Sequence, residues 1–193
     1  MKTAKTILFI LVCIGMLWLM FVLLGRAFRG NNTAVTTTPP KTMASYANTD
    51  AKVSMYVDGP VKSDQEHEAW KITIDRTSTT VEYIKGYENN VVRQQTYPNN
   101  VNSYAAFLES LDKAQFDAPN STNFPEDERG YCPTRSRYVY DMQNGSEQVM
   151  HSWWTSCGSG TFMGNKSITR QLFINQLPRK EFAELRRGTT LAP

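Results

Sequence analysis

The first pattern along the chain is an apolar run near its N-terminus. From Ile7 to Leu24 the sequence has 18 residues without a charge, and a helix of that length spans a hydrocarbon layer of about 30 Å. A cleaved signal peptide has a shorter apolar region and a small-residue cleavage site, and Gly25-Arg26-Ala27 is a poor site of that kind. The pattern therefore predicts a transmembrane signal anchor at residues 7–25, held in the lipid bilayer.

The orientation of this anchor does not follow from charge alone. Lys2 and Lys5 precede the run and Arg26 and Arg29 follow it, so the positive-inside rule is close to a tie. A tail of six residues offers little to export, whereas the large C-terminal segment has two cysteines suited to an oxidising compartment. We predict a single-pass protein of the cell membrane, with residues 1–6 as a cytoplasmic tail and the C-terminal domain outside.

A polar segment follows the anchor. Residues 30–50 are rich in Thr, Asn and Pro and poor in large apolar side chains, so they bury too little surface to offset the entropy lost on ordering. We predict a flexible linker at residues 26–50 and one extracytoplasmic domain at residues 51–193.

The first half of this domain alternates apolar and polar residues, as strands with one buried face do. Asp58-Gly59-Pro60 separates the first two strands, and the polar loop Glu88-Asn89-Asn90 joins the next two. An antiparallel meander is expected. Its predicted strands contain Val53, Met55 and Val57; Trp70, Ile72 and Ile74; Val81 to Tyr87; and Val91 to Tyr97.

Helical spacing replaces the alternation in two places. The first helix carries its apolar side chains on one face, with Asn100 or Asn102 as its cap. Near the C-terminus a second helix ends before Pro178, which suits the first position of a short third helix that Gly188 would end. The apolar positions are Tyr104, Phe107, Leu108, Leu111 and Ala114; Ile168, Leu172 and Phe173; and Phe182 and Leu185.

Between these helices the dipeptide Asn144-Gly145 predicts a β-hairpin with a two-residue loop. If Gln143 faces Ser146, the same register places Cys132 opposite Cys157 at a non-hydrogen-bonded site, where Cα atoms lie about 4.5 Å apart. Pro133 cannot donate to a ladder, so a bridge between two loops is the alternative. We predict a Cys132–Cys157 disulfide in either case.

Together these elements predict an α+β fold class, with one antiparallel sheet of about six strands and two or three helices.

Charge and composition narrow the function. The whole chain carries +3, but four of its 21 Lys and Arg residues flank the anchor, and from residue 30 onward 17 face 18 Asp and Glu residues, a net of −1. A nearly neutral domain lacks the electrostatic attraction of non-specific nucleic-acid binding, so no nucleic-acid partner is expected.

No catalytic constellation stands out in the sequence. The two histidines, His67 and His151, have no third metal ligand in view, and Ser159 lacks the pattern of a hydrolase nucleophile. The Gly-rich segment at residues 157–165 differs from a phosphate-binding loop by one residue of spacing. We predict no enzyme activity, no metal and no cofactor, and leave open a function for residues 157–165.

An aromatic group is the best candidate for recognition. Trp153 and Trp154 are adjacent on a predicted strand, so they point to opposite faces and only one enters the core easily. Packing by helices over both faces is the alternative. The predicted binding patch comprises Trp153, Trp154, Tyr138, Tyr140 and His151.

Several short motifs of the domain resemble uncharacterised single-pass, exported small-domain proteins of Saccharibacteria-type bacteria. The resemblance implies a bacterial cell-envelope setting and no specific functional residues. The leading hypothesis is a membrane-anchored binding or scaffolding domain with a protein or glycan partner at the cell surface. An exported hydrolase or envelope-modifying enzyme, or a subunit of a secretion or pilus assembly, is the alternative. The motifs are Asp58-Gly59-Pro60-Val61, Ile84-Lys85-Gly86-Tyr87, Cys132-Pro133, Arg137-Tyr138, Trp154-Thr155-Ser156-Cys157-Gly158, and Leu172-Phe173 through Leu177-Pro178.

Overall fold

The computed structural model describes residues 42–193. The predicted cytoplasmic tail, the signal anchor and most of the linker fall on residues 1–41, outside the described residues. Among residues 42–193, no helix combines the length and the apolar character needed to cross a membrane.

The described residues form one antiparallel sheet of six strands, as predicted. The strands are β1 (Ala51–Asp58), β2 (Glu68–Ile74), β3 (Ser78–Lys85), β4 (Asn90–Pro98), β5 (Arg137–Asn144) and β6 (Glu147–Thr155). Their order across the sheet is β4-β3-β2-β1-β5-β6. The first strand therefore lies in the middle of the sheet, because β5 returns to pair with its free edge.

Three α-helices are present in residues 42–193: α1 (Val101–Lys113), α2 (Lys166–Ile174) and α3 (Arg179–Leu185). Asn100 is the cap of α1, since its side chain accepts a hydrogen bond of 3.0 Å from the backbone N–H of Ser103. Pro178 precedes α3 as its N-cap rather than occupying its first helical position, one residue from the prediction. Gly188 lies past the end of α3 with a φ of 78°, a conformation that favours glycine.

All three helices pack on one face of the sheet, which we name the helical face. Aromatic contacts join the layers: the ring of Phe173 in α2 lies 5.8 Å from that of Tyr140, and the ring of Phe182 in α3 lies 5.8 Å from that of Trp70. Burial of such side chains stabilises the fold by roughly 1.5–3 kcal/mol each. The strand residues of this face include Val53, Met55, Trp70, Ile72, Ile74, Val81 and Tyr140, all fully buried.

The folded part begins before the predicted boundary at residue 51. A short 3-10 helix (Met43–Tyr46) packs with α1, and Met43, Tyr46 and Ala47 are buried. The hydroxyl of Tyr104 in α1 also donates a 2.8 Å hydrogen bond to the carbonyl of Ala51. Residues 42–50 are thus ordered rather than a flexible linker, because three apolar side chains among the Thr and Asn residues are enough to dock them.

The β5–β6 hairpin differs from the predicted register. Its loop is Gly145-Ser146, Asn144 faces Glu147, and an irregularity between Met142 and Gln143 shifts the pairing by a further residue. The ladder ends at Arg137 and Thr155, so the cysteines lie beyond it.

The predicted disulfide is nevertheless present between Cys132 and Cys157, with a Cα–Cα distance of 5.9 Å. It joins two loops, the alternative predicted from Pro133. The bridge depends on the two chain segments leaving the sheet at the same end and not on ladder register.

The opposite face of the sheet, the open face, carries no helix of the described chain. A long loop (residues 114–136) starts on the helical face, where Phe116 packs with Tyr140. It then passes around β6 to the open face, where Phe124 and Tyr131 pack on Trp153. The loop covers the β5–β6 end of this face and leaves the remainder exposed.

Candidate functional site: a groove across the open face

The open face contains a groove of about 490 Å³, which we name the transverse groove. It is lined from every strand of the sheet and by the long loop, and it runs across the strands from β4 to β6. Its lining residues are Ser54, Tyr56, Lys71, Glu82, Ile84, Asn89, Val91, Glu128, Val139, Asp141 and His151.

Strand register explains why these residues meet. One row across the sheet runs from Glu82 through Lys71, Tyr56 and Val139 to Trp153, and side chains in one row of paired positions share a face. The neighbouring row runs from Thr80 through Thr73, Ser54 and Asp141 to His151. The polar positions of the alternation therefore converge on the open face, while the apolar positions fill the core.

The charged groups are unevenly distributed along the groove. Lys71 and Glu82 are paired positions on β2 and β3, so their opposite charges offset each other at short range. Asp141 and Glu128 contribute carboxylates at the other end, beside His151. Ile84 and Val91 supply an apolar wall at the β3–β4 end.

His151 fastens the long loop to the sheet. Its Nδ1 lies 2.6 Å from a carboxylate oxygen of Asp141, and its ring also hydrogen-bonds to the backbone of Glu126 in the loop. The hydrogen bond to Asp141 raises the pKa of His151 above the ordinary value of 6.5, although burial opposes the shift. The Asn120 amide adds a 2.7 Å bond to the carbonyl of His151. His151 thus contacts β5 through Asp141 and the long loop through Glu126 and Asn120.

Tyr56 presents a hydroxyl to the groove. Burial raises the pKa of Tyr56 well above 10.0, and the negative charge of Asp58 raises it further. The hydroxyl therefore stays protonated and can donate a hydrogen bond. Within residues 42–193, no hydrogen bond or ion pair is formed by the side chains of Ser54, Tyr56, Lys71, Glu82 and Glu128.

A Ser-His-Asp relay does not arise from the groove residues. Ser54 is paired with Asp141, and Asp141 with His151, so the carboxylate lies between the hydroxyl and the imidazole. Ser54 and His151 are two strands apart, about 9–10 Å, beyond hydrogen-bonding distance. Nucleophilic activation needs the base next to the nucleophile. Ser159 is also remote from His151, since its backbone pairs with Thr155 at the C-terminal end of β6, four residues beyond His151.

The predicted aromatic patch is divided between the two faces. Trp153 and His151 lie on the open face, and Trp153 is 0% exposed because the long loop covers it and the carbonyl of Pro125 accepts a 3.0 Å bond from its Nε1. Tyr138, Tyr140 and Trp154 lie on the helical face. Of the five, His151 alone lines the transverse groove. As predicted, the two tryptophans point to opposite faces.

Trp154 is the partly exposed tryptophan. Its ring stacks on that of Tyr138 at a centroid distance of 4.1 Å, and the Lys166 ammonium lies 5.6 Å from its centroid. Tyr140 is fully buried and accepts a 3.3 Å bond from Nε1 of Trp154. Trp154 is therefore held by packing between β5 and α2.

The Gly-rich segment at residues 157–165 lies along the edge of β6. Gly160 has a φ of 146°, and a Cβ atom there would stand 2.5 Å from the Cα of Trp154, so only glycine fits this approach. Phe162 donates from its backbone to Trp153 at 2.9 Å. The segment therefore covers an otherwise unpaired strand edge, and its last residue, Asn165, caps α2 through a 3.0 Å bond from Ile168.

The second histidine belongs to a buried network beside the groove, through Asp58, which lies two residues from Tyr56 on the same face of the sheet. His67 Nε2 lies 2.8 Å from one carboxylate oxygen of Asp58, and Arg137 contacts the other. The His67 ring also stacks on Tyr87 at 4.1 Å. The network ties the loop before β2 to the adjoining ends of β1 and β5. Across residues 42–193, no three His, Cys, Asp or Glu side chains converge as a metal-binding group.

Comparison with models of known protein families finds no match, and comparison with curated proteins finds none either.

The groove was not predicted from the sequence, although the sequence contains part of the pattern that forms it. Ser54, Tyr56, Lys71 and Glu82 are the polar members of the alternation in the first three strands. Such positions usually form a solvated face of a sheet. No short motif in the sequence indicates that the long loop covers one end of this face.

Proposed function

We propose that the protein is a membrane-anchored binding or scaffolding domain of the cell envelope that captures its partner in the transverse groove. One observation carries the proposal: five half-buried polar side chains line the groove without a partner among residues 42–193. A concave site with a few polar groups free of internal hydrogen bonds is the usual arrangement of a ligand site. A ligand that supplies those bonds gains affinity in the groove.

The proposed location is supported by the predicted anchor at residues 7–25 and by the disulfide. Disulfides persist in oxidising compartments, so the Cys132–Cys157 bridge supports an extracytoplasmic domain with the N-terminus in the cytoplasm. A bacterial cell envelope is the setting that the sequence resemblance implies. A protease added to intact cells should remove a C-terminal tag and leave a tag on residues 1–6 intact.

A binding role is better supported than an exported hydrolase. His151, the one histidine of the groove, has its Nδ1 bonded to Asp141, and the nearest hydroxyl on the same row is separated from it by that carboxylate. A subunit of a secretion or pilus assembly is a form of the binding proposal in which the partner is another subunit. Replacing Ser159 or His151 by Ala tests the hydrolase, because loss of an activity in the folded variant would favour it.

Photo-crosslinking on intact cells tests the binding proposal. A benzoylphenylalanine placed at Val91 lies in the groove, and one placed at Val101 at the start of α1 is a matched control. The two valines are similarly exposed, at 42% and 39%. We expect the full-length protein to form a recurrent adduct from position 91 that position 101 does not form.

Two outcomes would contradict this proposal. Identical adducts from positions 91 and 101 would indicate random encounters rather than capture in the groove. No adduct from position 91, on a protein that an impermeant reagent labels at the cell surface, would remove the groove as a binding site.

A further inference from the structure

The shape of the transverse groove restricts what it can bind. Val91 on β4 and His151 on β6 lie at opposite edges of the sheet, five strand spacings apart. At about 4.8 Å per spacing the groove is about 24 Å long. A chain of about seven extended residues has the same length, so the groove suits a narrow linear ligand better than a compact one.

The β3–β4 end of the groove suits an apolar group. Ile84 is buried and Val91 is 42% exposed, and both line the groove. Burial of an apolar ligand side chain against these two residues is favourable.

The β5–β6 end suits a cation. Glu128 and Asp141 bring two carboxylates, and His151 is the one basic side chain lining this end. In the middle of the groove, the charges of Lys71 and Glu82 offset each other. Because Asp141 is paired with His151, the groove retains the carboxylates of Glu82 and Glu128 against one lysine, a balance that disfavours phosphorylated and other anionic ligands.

The geometry points to an extended peptide as the ligand, with an apolar side chain against Ile84 and Val91 and a Lys or Arg side chain, about six residues away, beside Glu128 and Asp141. This inference rests on the proposed function and adds the chemistry of the partner. Charge complementarity at one end and apolar contact at the other fix the direction of the peptide across the sheet. Peptide donors and acceptors meet the free hydroxyl groups of Ser54 and Tyr56 between the two ends.

Selection from a random heptapeptide display library on the full-length protein in detergent micelles tests the inference. We expect enrichment of peptides with Lys or Arg at one end and Leu, Ile, Val or Phe at the other. The variant Glu128→Lys changes the charge at a half-buried loop position, so folding should be retained. It should weaken the selected peptides by at least about three- to tenfold, because it removes one charge of a partly desolvated pair and places a like charge beside the ligand cation.

A second variant provides the groove control. Ser54→Tyr places a bulky strand-forming residue on the floor of the groove, and its thermal midpoint reports whether it folds. If it does not fold, Lys71→Tyr, at a half-buried groove-lining position on the neighbouring strand β2, replaces it. Selected peptides should not bind the folded groove variant.

The outcomes distinguish failure of the inferred peptide chemistry from failure of the proposed function. Peptides that lose binding to the groove variant but carry acidic or purely polar ends would overturn the inference and retain the proposed function. Peptides that bind the groove variant as well as the native protein, or a library that yields no enrichment, would overturn both. Peptides with one basic and one apolar end that bind the Glu128→Lys variant as tightly as the native protein would also overturn the inferred orientation.

Discussion

The two faces of the sheet use the same six strands and differ in what covers them. On the helical face, Tyr140 and its neighbours are packed by three helices into a closed aromatic core. On the open face, Tyr56 and its neighbours line a groove that one loop covers at one end. Adjacent strand residues point to opposite faces. Stability and recognition can therefore be perturbed separately by substituting neighbouring positions.

The largest expected difference is between two tyrosines on adjoining strands. Tyr140→Ala removes a fully buried ring from the helical face and should lower the free energy of unfolding by about 3–5 kcal/mol. Tyr56→Ala removes a half-buried ring from the open face and should cost about 1–2 kcal/mol. Chemical denaturation of both variants measures the two values. Equal losses would mean that the open face contributes to the core as much as the helical face does.

Removal of the disulfide should have the next largest effect, mostly on the open face. The bridge closes a loop with a sequence separation of 25, for which the chain-entropy model gives about 3 kcal/mol. The double variant Cys132→Ser, Cys157→Ser should lose that amount. Its long loop should exchange amide hydrogens faster, while α1 changes least. Loss of protection in α1 before the long loop would show that the bridge supports the core instead.

Glu68→Gln should have a smaller effect, confined to the C-terminal segment on the helical face. The Glu68 carboxylate accepts hydrogen bonds from the backbone of Thr190 and Leu191 at 2.9 and 2.8 Å. Removing its charge should cost about 1–2 kcal/mol and increase proteolysis after residue 188. The exposed neighbour Glu66→Gln is the control and should change neither quantity.

The same carboxylate adds an acid dependence to stability. Burial opposes ionisation of Glu68, but the hydrogen bonds from Leu191 and Thr190 outweigh it, so the pKa lies below the ordinary value of 4.5. Its contribution is therefore present above pH 4.5 and lost as pH falls through the lowered pKa. Glu68→Gln should remove this part of the acid sensitivity. Acid unfolding curves that coincide for the variant and the native protein would contradict this role of Glu68.

The smallest expected effect is the pH dependence of the His151 contact. Because Asp141 raises the pKa of His151, the contact stabilises fully below pH 6.5 and is lost as pH rises through the raised pKa. The long loop should loosen over that range, which the fluorescence of Trp153 reports. Asp141→Asn should return the pKa toward 6.5. A histidine titration by NMR that this variant leaves unchanged would exclude Asp141 as the cause.

The sequence predicted the fold where the signal was local. Alternation assigned Val53 and Met55 to the core face, and Asn100 was one of two predicted caps for α1; the structure confirms these assignments. The hairpin register was wrong because the loop is shifted by one residue and the strand is irregular near Met142. Such irregularities depend on neighbouring strands and leave no short motif in the sequence.

The candidate site was harder to predict because its residues meet only through topology. Asp141 and Ser54 become neighbours when β5 pairs with β1, far apart in sequence. The choice of which tryptophan would be buried also depended on the path of the long loop, whose Phe124 and Tyr131 cover Trp153. Neither the strand order nor the loop path follows from periodicity.

Because β1 lies in the middle of the sheet, one of its edges stays unpaired during synthesis until β5 has been made. Arg137, the first residue of β5, is 79 positions beyond Asp58, the last residue of β1. At about 5–20 residues per second, the ribosome takes roughly 4–16 s to make that stretch. Throughout this interval the second edge of β1 has no partner strand. A nascent chain halted before β5 would expose that edge to neighbouring chains, so a pause in this stretch should favour pairing between chains.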